Sequence, residues 1–239
     1  GFRIDLTNRI IGLNSHLNIY SADEIINKKQ VNELLSNIDN SLFINHYKIL
    51  ESNGLIIKDN ESKGVLIKGY DEYNKNHYLY SAIKSGSLIN NPKNEIIIGD
   101  SLASQLSVSI GDKIKIAIPK TDKTILGNIP RFKTLNVVGV FDLGLYEYDS
   151  NLIFLSSTLV RKLLLYENDD YNKIEVFVKI PKEVDLLKNN IQNIISDLQL
   201  SLYSVSWKDT NQTLINALKV EKNVMFIILS LIILVASLN

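Results

Sequence analysis

The sequence predicts an α+β fold in which a β-rich subdomain is inserted into a discontinuous α+β subdomain, the whole carried on two helical stalks. Three observations predict it. Helix and strand periodicities lie at both ends of the central region, around a strand-rich middle. Lys113–Ile118 reads KIKIAI, the strict alternation of a half-buried strand. Val224–Leu238 reads VMFIILSLIILVASL, apolar on every side and without a charge. The expected boundaries are a stalk over 1–14, continuing from a preceding transmembrane helix; a discontinuous unit over 15–70 and 170–206; an insertion over 71–169; and a second stalk over 207–239, running into a truncated transmembrane helix.

The elements follow in chain order. Phe2, Leu6, Ile10 and Leu13 recur at helical spacing, and Gly12 and Asn14 supply stop signals. Ala22–Ile38 has a helix's apolar side in Ile25, Ile26, Leu34, Leu35 and Ile38. Ile44–Leu50 is a strand, and Leu55–Lys58 with Val65–Gly69 forms a hairpin around the polar turn 59–63. Glu95–Gly99 is a short strand, after which Asp100 is expected to cap a brief helix to Leu106. Asn136–Phe141 and Leu152–Leu155 are strands, and Ser156 opens a helix to Tyr166. Ile174–Ile180 is a strand stopped by Pro181. Glu183–Leu200 is a helix with Val184, Leu187, Ile191, Ile194 and Leu198 inward, and Leu202–Val205 is the last strand. Ser206-Trp207-Lys208-Asp209 fits a capping box whose helix leads through Leu218 into Val224, Met225 and Phe226. A membrane span needs about 20 apolar residues, so the closing run is expected to be the start of one.

Composition narrows the chemistry. Hydrophobic residues make up 45% and charged residues 22%, enough for a globular core. Lys+Arg and Asp+Glu are 26 each, so the net charge is zero and no basic surplus favours nucleic acid. The absence of cysteine excludes disulfides, a thiol nucleophile and Cys-based zinc sites. No phosphate-binding G-x-x-x-x-G-K-[ST] loop occurs, and His16, His46 and His77 lack metal-ligand spacing. No metal, cofactor or catalytic residue is therefore expected.

Gly99-Asp100-Ser101-Leu102 spells the nucleophile motif of the GDSL esterases. In that family a histidine near the C-terminus, held by an aspartate three residues earlier, activates the serine. Here every histidine precedes Ser101 and none has that aspartate, so the nucleophile lacks its base. An esterase remains only a remote alternative.

The connection Pro119–Phe132 stands out. It runs for about 14 residues, where hairpin loops usually take 2–5. It carries Lys120, Lys123 and Arg131 against one Asp122, and apolar Ile125, Leu126 and Ile129 that a solvated tip does not need. Pro119 and Pro130 stiffen its ends, and Phe132 closes it. The expectation is a protruding finger whose Ile125, Leu126, Ile129, Pro130, Arg131 and Phe132 dock a partner. Arg131 would orient that partner through a carboxylate or backbone carbonyls.

Four stretches carry a family resemblance: the opening GFRIDLTNRIIGLNSHLNIYS, the central EIIIGDSLASQLSVSIGDKIKI, NVVGVFDLGLYEYDSNLIFL, and the closing WKDTNQTLINALKVEKNVMFIILSLIILVASLN. They resemble the membrane subunits (LolC/LolE type) of the lipoprotein-releasing ABC transporter, within the wider FtsX/MacB-like permeases. The closing segment and Tyr146–Ser150, YEYDS, are the most specific parts. The resemblance implies a MacB-like periplasmic core between two membrane helices of a non-catalytic inner-membrane subunit. It implies four partners: a second membrane subunit, homologous or identical; a cytoplasmic ATPase; a periplasmic lipoprotein carrier; and the lipoprotein cargo. A protruding hairpin recruits the carrier in one subunit type, and Pro119–Phe132 occupies the equivalent place. The alternative is a related permease for efflux or for force transmission in cell division.

Overall fold

The alternating apolar residues build one ten-stranded mixed sheet in the computed structural model, which describes residues 15–39, 41–74, 77–124, 127–167 and 169–238. The first expected stalk, with Phe2 and Leu6, lies outside them. The strands are β1 (Leu17–Ser21), β2 (Phe43–Lys58), β3 (Glu61–Tyr70), β4 (Ile83–Gly86), β5 (Glu95–Gly99), β6 (Lys113–Thr124), β7 (Gly127–Phe141), β8 (Leu152–Ser156), β9 (Lys173–Val178) and β10 (Leu202–Ser206). The sheet runs β10-β1-β9-β2-β3-β8-β5-β7-β4, with β6 paired to β2 and β7. The β3–β8 and β5–β7 pairs are parallel and the others antiparallel. The α+β expectation holds, with helices packed over a sheet.

The helices are α1 (Lys28–Asn37), α2 (Leu79–Ala82), α3 (Asp100–Gln105), α4 (Tyr146–Asn151), α5 (Ser157–Leu164), α6 (Val184–Asp197), α7 (Trp207–Thr210) and α8 (Gln212–Leu238). α1 begins later than its apolar pattern suggests, because Asn27 and Gln30 form a capping box and Ile26 joins Tyr171 in an isolated bridge. In α6, Val184, Leu187 and Ile191 are buried as expected; Leu198 sits at the C-cap and is exposed.

Strand alternation sorts the core onto two faces. One face carries Leu17, Ile19, Ile67, Ile153, Ile174 and Val176 against α1, α5 and α6. The opposite face carries Ile49, Tyr70, Phe141, Leu152 and Phe154, covered in part by Leu79 of α2.

Several expectations are corrected. β1 occupies LNIYS, where no strand was expected. β2 is one strand of 16 residues instead of two, and its ladder to β3 closes at Lys58↔Glu61, so the turn is tighter than 59–63. Asp59 takes φ 52°, a left-handed conformation aspartate tolerates. Gly99, not Asp100, is the N-cap of α3. A Cβ at Gly99 would lie 2.2 Å from the Asp149 carbonyl oxygen, so the close approach of α4 requires glycine. Asp100 instead occupies the first turn of α3 and accepts from Lys84 Nζ at 2.7 Å.

The helix after β10 is also interrupted. The Ser206/Asp209 capping box opens α7 as expected, but α7 ends at Thr210 and α8 starts at Gln212. Thr210 Oγ1 and Asn211 Nδ2 both donate to the Trp207 carbonyl, at 3.1 and 2.8 Å, competing with regular backbone bonding there.

Candidate functional site

The second face of the sheet holds charges where a core would hold methyl groups. Lys173 and Glu175 alternate along β9, Glu51 stands on β2 and Lys68 on β3. Glu51 and Lys68 are direct cross-strand partners, and Tyr20 of β1 lies opposite Lys173. The side chains interlock. Lys68 Nζ donates to Glu175 Oε1 at 2.8 Å, Lys173 Nζ donates to Glu51 Oε2 at 2.8 Å, and Lys173 is 3.5 Å from Glu175 Oε1. Tyr70 Oη donates to Glu175 Oε2 at 2.6 Å and lies 2.9 Å from Tyr78 Oη.

Two ammoniums and two carboxylates cancel, which is how buried Lys68, Lys173 and Glu175 are tolerated beside the part-exposed Glu51. Glu175 is fully buried, and burial alone would raise its pKa. The Lys68 and Lys173 charges, with the Lys68 and Tyr70 hydrogen bonds, outweigh it and hold the carboxyl at about 2. Burial likewise disfavours the charged forms of Lys68 and Lys173. Glu175 and Glu51 more than offset it, so both lysines stay protonated with raised pKa values.

Beside the quartet, Tyr47, Tyr70, Tyr73, Tyr78 and Phe154 form an aromatic cluster with His77. His77 Nδ1 accepts from the Leu79 amide, and burial lowers its pKa to about 4. His16 Nδ1 accepts from the Val178 amide at 2.8 Å. Both histidines thus hold backbone, and Asp100 of the GDSL-like motif serves Lys84. Among the described residues no group of His, Asp or Glu is arranged to hold a metal ion.

A cavity of about 340 Å³ opens over the quartet. Its floor includes Glu51, Lys68 and Lys173; Tyr148 of α4 and Trp207 of α7 stand in its wall. The two stretches most specific to the family resemblance, YEYDS and WKDTN, therefore meet at one site. Asp149 fixes the first by accepting from the amides of Leu143 and Leu145, at 2.8 and 3.1 Å. Trp207 anchors the second, donating from Nε1 to the Pro181 carbonyl at 2.8 Å.

The expected finger at 119–132 is not a loop. Its residues extend β6 and β7, which stay paired to Thr124↔Gly127 with an irregularity between Ile118 and Thr121. β6 pairs with β2 only at Lys115–Ala117, and β7 meets β5 only from Asn136, so the far part is a two-stranded ribbon. Alternation continuing through the threonines and Pro130 at a register irregularity make strand compatible with this composition. Ile125 and Leu126 lie outside the described residues; Ile129 pairs with Asp122 and Pro130 with Thr121 in the ladder. Arg131 Nη1 donates to the Lys162 carbonyl of α5 at 3.2 Å, binding the ribbon's base to its own domain. Phe132 is 52% exposed, with Lys115 Nζ 5.9 Å from its ring centre.

α8 runs for 27 residues, and Val224, Met225 and Phe226 are exposed, as are their apolar successors to Val235. Among the described residues no helix is long and apolar enough to cross a membrane; Leu218 is on α8, in the segment between Asn211 and the apolar run.

The chain can now be set beside known proteins. No family model matches it. The lipoprotein-releasing system transmembrane protein LolC of Xylella fastidiosa (strain Temecula1) is 30% identical over 167 residues, covering 67% of this chain and 38% of that protein. LolC of Neisseria meningitidis serogroup B is 32% identical over 147 residues, 61% of this chain and 34% of that protein. LolC of Buchnera aphidicola subsp. Schizaphis graminum is 26% identical and aligns with 100% of this chain and 58% of that protein. The periplasmic region of MacB from Actinobacillus actinomycetemcomitans matches the fold with a TM-score of 0.53 at 14% identity, covering 90% of this chain and 98% of that one. The chain belongs to the LolC/MacB-like permeases. The extracellular domain of the ABC-type transporter YknZ shares the fold at a TM-score of 0.52 and 11% identity, over 81% of this chain and all of that one. This LolC/MacB-like chain spans between about a third and three-fifths of the LolC proteins' length.

Proposed function

We propose that this chain is the periplasmic part of an inner-membrane ABC-transporter subunit that releases lipoproteins and passes them to a periplasmic carrier. The observation that carries the reading is the LolC similarity, which in the Buchnera protein extends along the whole chain. Two features support it: the 27-residue helix α8, which follows α7 after the last strand, and the two-stranded β6–β7 ribbon that extends beyond the sheet's other pairings. Acyl chains cost about 0.8 kcal/mol per CH₂ to withdraw from a bilayer, more than a docking surface supplies. The energy would come from ATP hydrolysed in a separate cytoplasmic subunit and reach this non-catalytic chain through its helices, with a second membrane subunit, homologous or identical, completing the transporter. The units 15–70 with 170–206, and 71–169, would be its two periplasmic subdomains.

The ribbon is the proposed carrier-docking element, with Leu126 and Ile129 as apolar anchors and Pro130 and Phe132 beside them. Arg131→Glu would act by freeing the ribbon's base from α5 as well as by reversing charge. In calorimetry with the purified carrier, Leu126→Ala or Ile129→Ala should weaken binding by about 1–2 kcal/mol, and unchanged affinity would move the docking site elsewhere. Depletion of the full-length protein should leave lipoproteins in the inner membrane. A normal outer-membrane distribution would favour the second reading, an efflux or cell-division permease, for which the MacB fold match speaks.

A further inference from the structure

We infer that the cavity over the buried quartet is a binding site for a small zwitterion, with the ligand's anionic group on Lys68 and its ammonium on Glu51. The argument starts from how the quartet pairs. Glu51 and Lys68 are opposite in charge and directly opposed across β2 and β3, yet they do not bond one another. Glu51 turns to Lys173 and Lys68 turns to Glu175. Among the described residues Glu175 is the one carboxylate within salt-bridge distance of Lys68.

This crossed pairing leaves unused capacity on both partners. An ammonium has three donors, and Lys68 spends one, on Glu175 Oε1. A carboxylate has two oxygens; Lys173 takes Oε2 of Glu51, and its Oε1 is unassigned. Lys68 is only 5% exposed, so its remaining donors have little access to bulk water, and both groups line the same cavity. A ligand acceptor in that cavity can take a donor of Lys68, and a charge-assisted bond at this depth is stronger than a neutral one.

Charge then selects the ligand. The quartet is neutral as it stands, so a lone anion or a lone cation would leave a buried net charge. A ligand carrying both signs a few ångströms apart preserves neutrality. Glu51 and Lys68 stand opposite one another across β2 and β3 and line one cavity, so a small molecule carrying an ammonium and an anionic group can address both. The cavity's 340 Å³ accommodates a molecule of that size, and Tyr20, Tyr148 and Trp207 provide walls for its carbon atoms. Two sources share this chemistry, a free α-amino acid and a phosphoethanolamine headgroup.

The test is calorimetric titration of the full 239-residue chain in detergent with glycine, L-alanine, O-phosphoethanolamine, acetate and ethylamine. At least one zwitterion should bind roughly tenfold more tightly than acetate and ethylamine, the size of one charge-assisted hydrogen bond. Tighter binding of the amino acids identifies that source, and tighter binding of phosphoethanolamine the other. Glu51→Gln should weaken the zwitterion by about the same factor while narrowing its advantage over acetate. Thr210→Trp, on the cavity rim and outside the quartet, should abolish binding with an unchanged thermal melt. The inference is overturned if folded wild-type protein shows no preference for any zwitterion, or if both variants bind as wild type does.

Discussion

The middle of the sheet and the β6–β7 ribbon are built from the same alternating grammar and hold together by opposite means. β9 and β2 each have neighbours on both sides, and their second face carries Glu175 and Lys173 in a closed ion network. The ribbon beyond Ala117↔Phe132 has one partner per strand, and its base carries the half-exposed Phe132. Burial makes a polar group indispensable to its neighbours; exposure makes an apolar group available to others.

The largest break in this comparison should come from Glu175→Gln. Removing this carboxylate strands Lys68 and leaves Lys173 with Glu51 alone, and losing one partner of a buried charge network costs about 3–5 kcal/mol. Urea unfolding of wild type and variant measures it. A loss under about 1 kcal/mol would mean that the quartet behaves as a surface pair.

Acid should act on the same region in two windows. His77 has a folded-state pKa near 4 against an ordinary 6.5. A lowered folded pKa means that the unfolded chain takes the proton more readily. Its contribution is therefore present above pH 6.5 and lost as pH falls towards 4, by an amount on the order of 3 kcal/mol. Glu175, held at about 2 against 4.5, contributes stability above pH 4.5 that is lost as pH falls towards 2. Urea midpoints between pH 7 and 3 should fall in the first window for wild type and fall less steeply there for a folded His77→Phe variant, in which His46, also lowered by burial, still contributes. Equal slopes would place the titrating group elsewhere.

A smaller effect is expected from Trp207→Ala. It removes a buried ring and the bond to the Pro181 carbonyl, for a loss of about 3 kcal/mol, the low end for a buried aromatic because the ring lines a cavity. Hydrogen exchange should rise first in α7 and β10, and uniform exchange through the whole sheet would contradict a local anchor. The smallest stability change belongs to Phe132→Ala, within about 0.5 kcal/mol. A cooperative melt shifted by several degrees would show that the ribbon's base is part of the core after all.

Much of the sheet was legible because its signals are local. KIKIAI, the β2–β3 hairpin and the Ser206 capping box each reside in a few consecutive residues. β1 was not legible although LNIYS alternates, since five residues between the stop signals Gly12 and Asn14 and the helical pattern from Ala22 give only a weak periodic signal. The charged network was not legible. Lys68 and Glu175 are 107 residues apart, and a single charge in a strand ordinarily marks a solvated face. The available hint was that Lys68 in VLIKGY and Glu175 in KIEVFV have apolar neighbours on both sides, the composition of strands covered on both faces. The ribbon misled for the opposite reason: its prolines and glycine suggested a loop, while its threonines and alternation fit a strand.

The quartet's zero net charge has a consequence for the medium around the domain. Dissolved ions damp interactions between exposed charges over about 10 Å at 0.1 M ionic strength, and they act much less on a pair as buried as Lys68–Glu175. Exposed pairs such as Lys28–Asp169 will weaken as salt rises, whereas the Lys68–Glu175 bond will not. A brine that loosens the periphery should therefore leave the pairing between β3 and β9 side chains largely as it is.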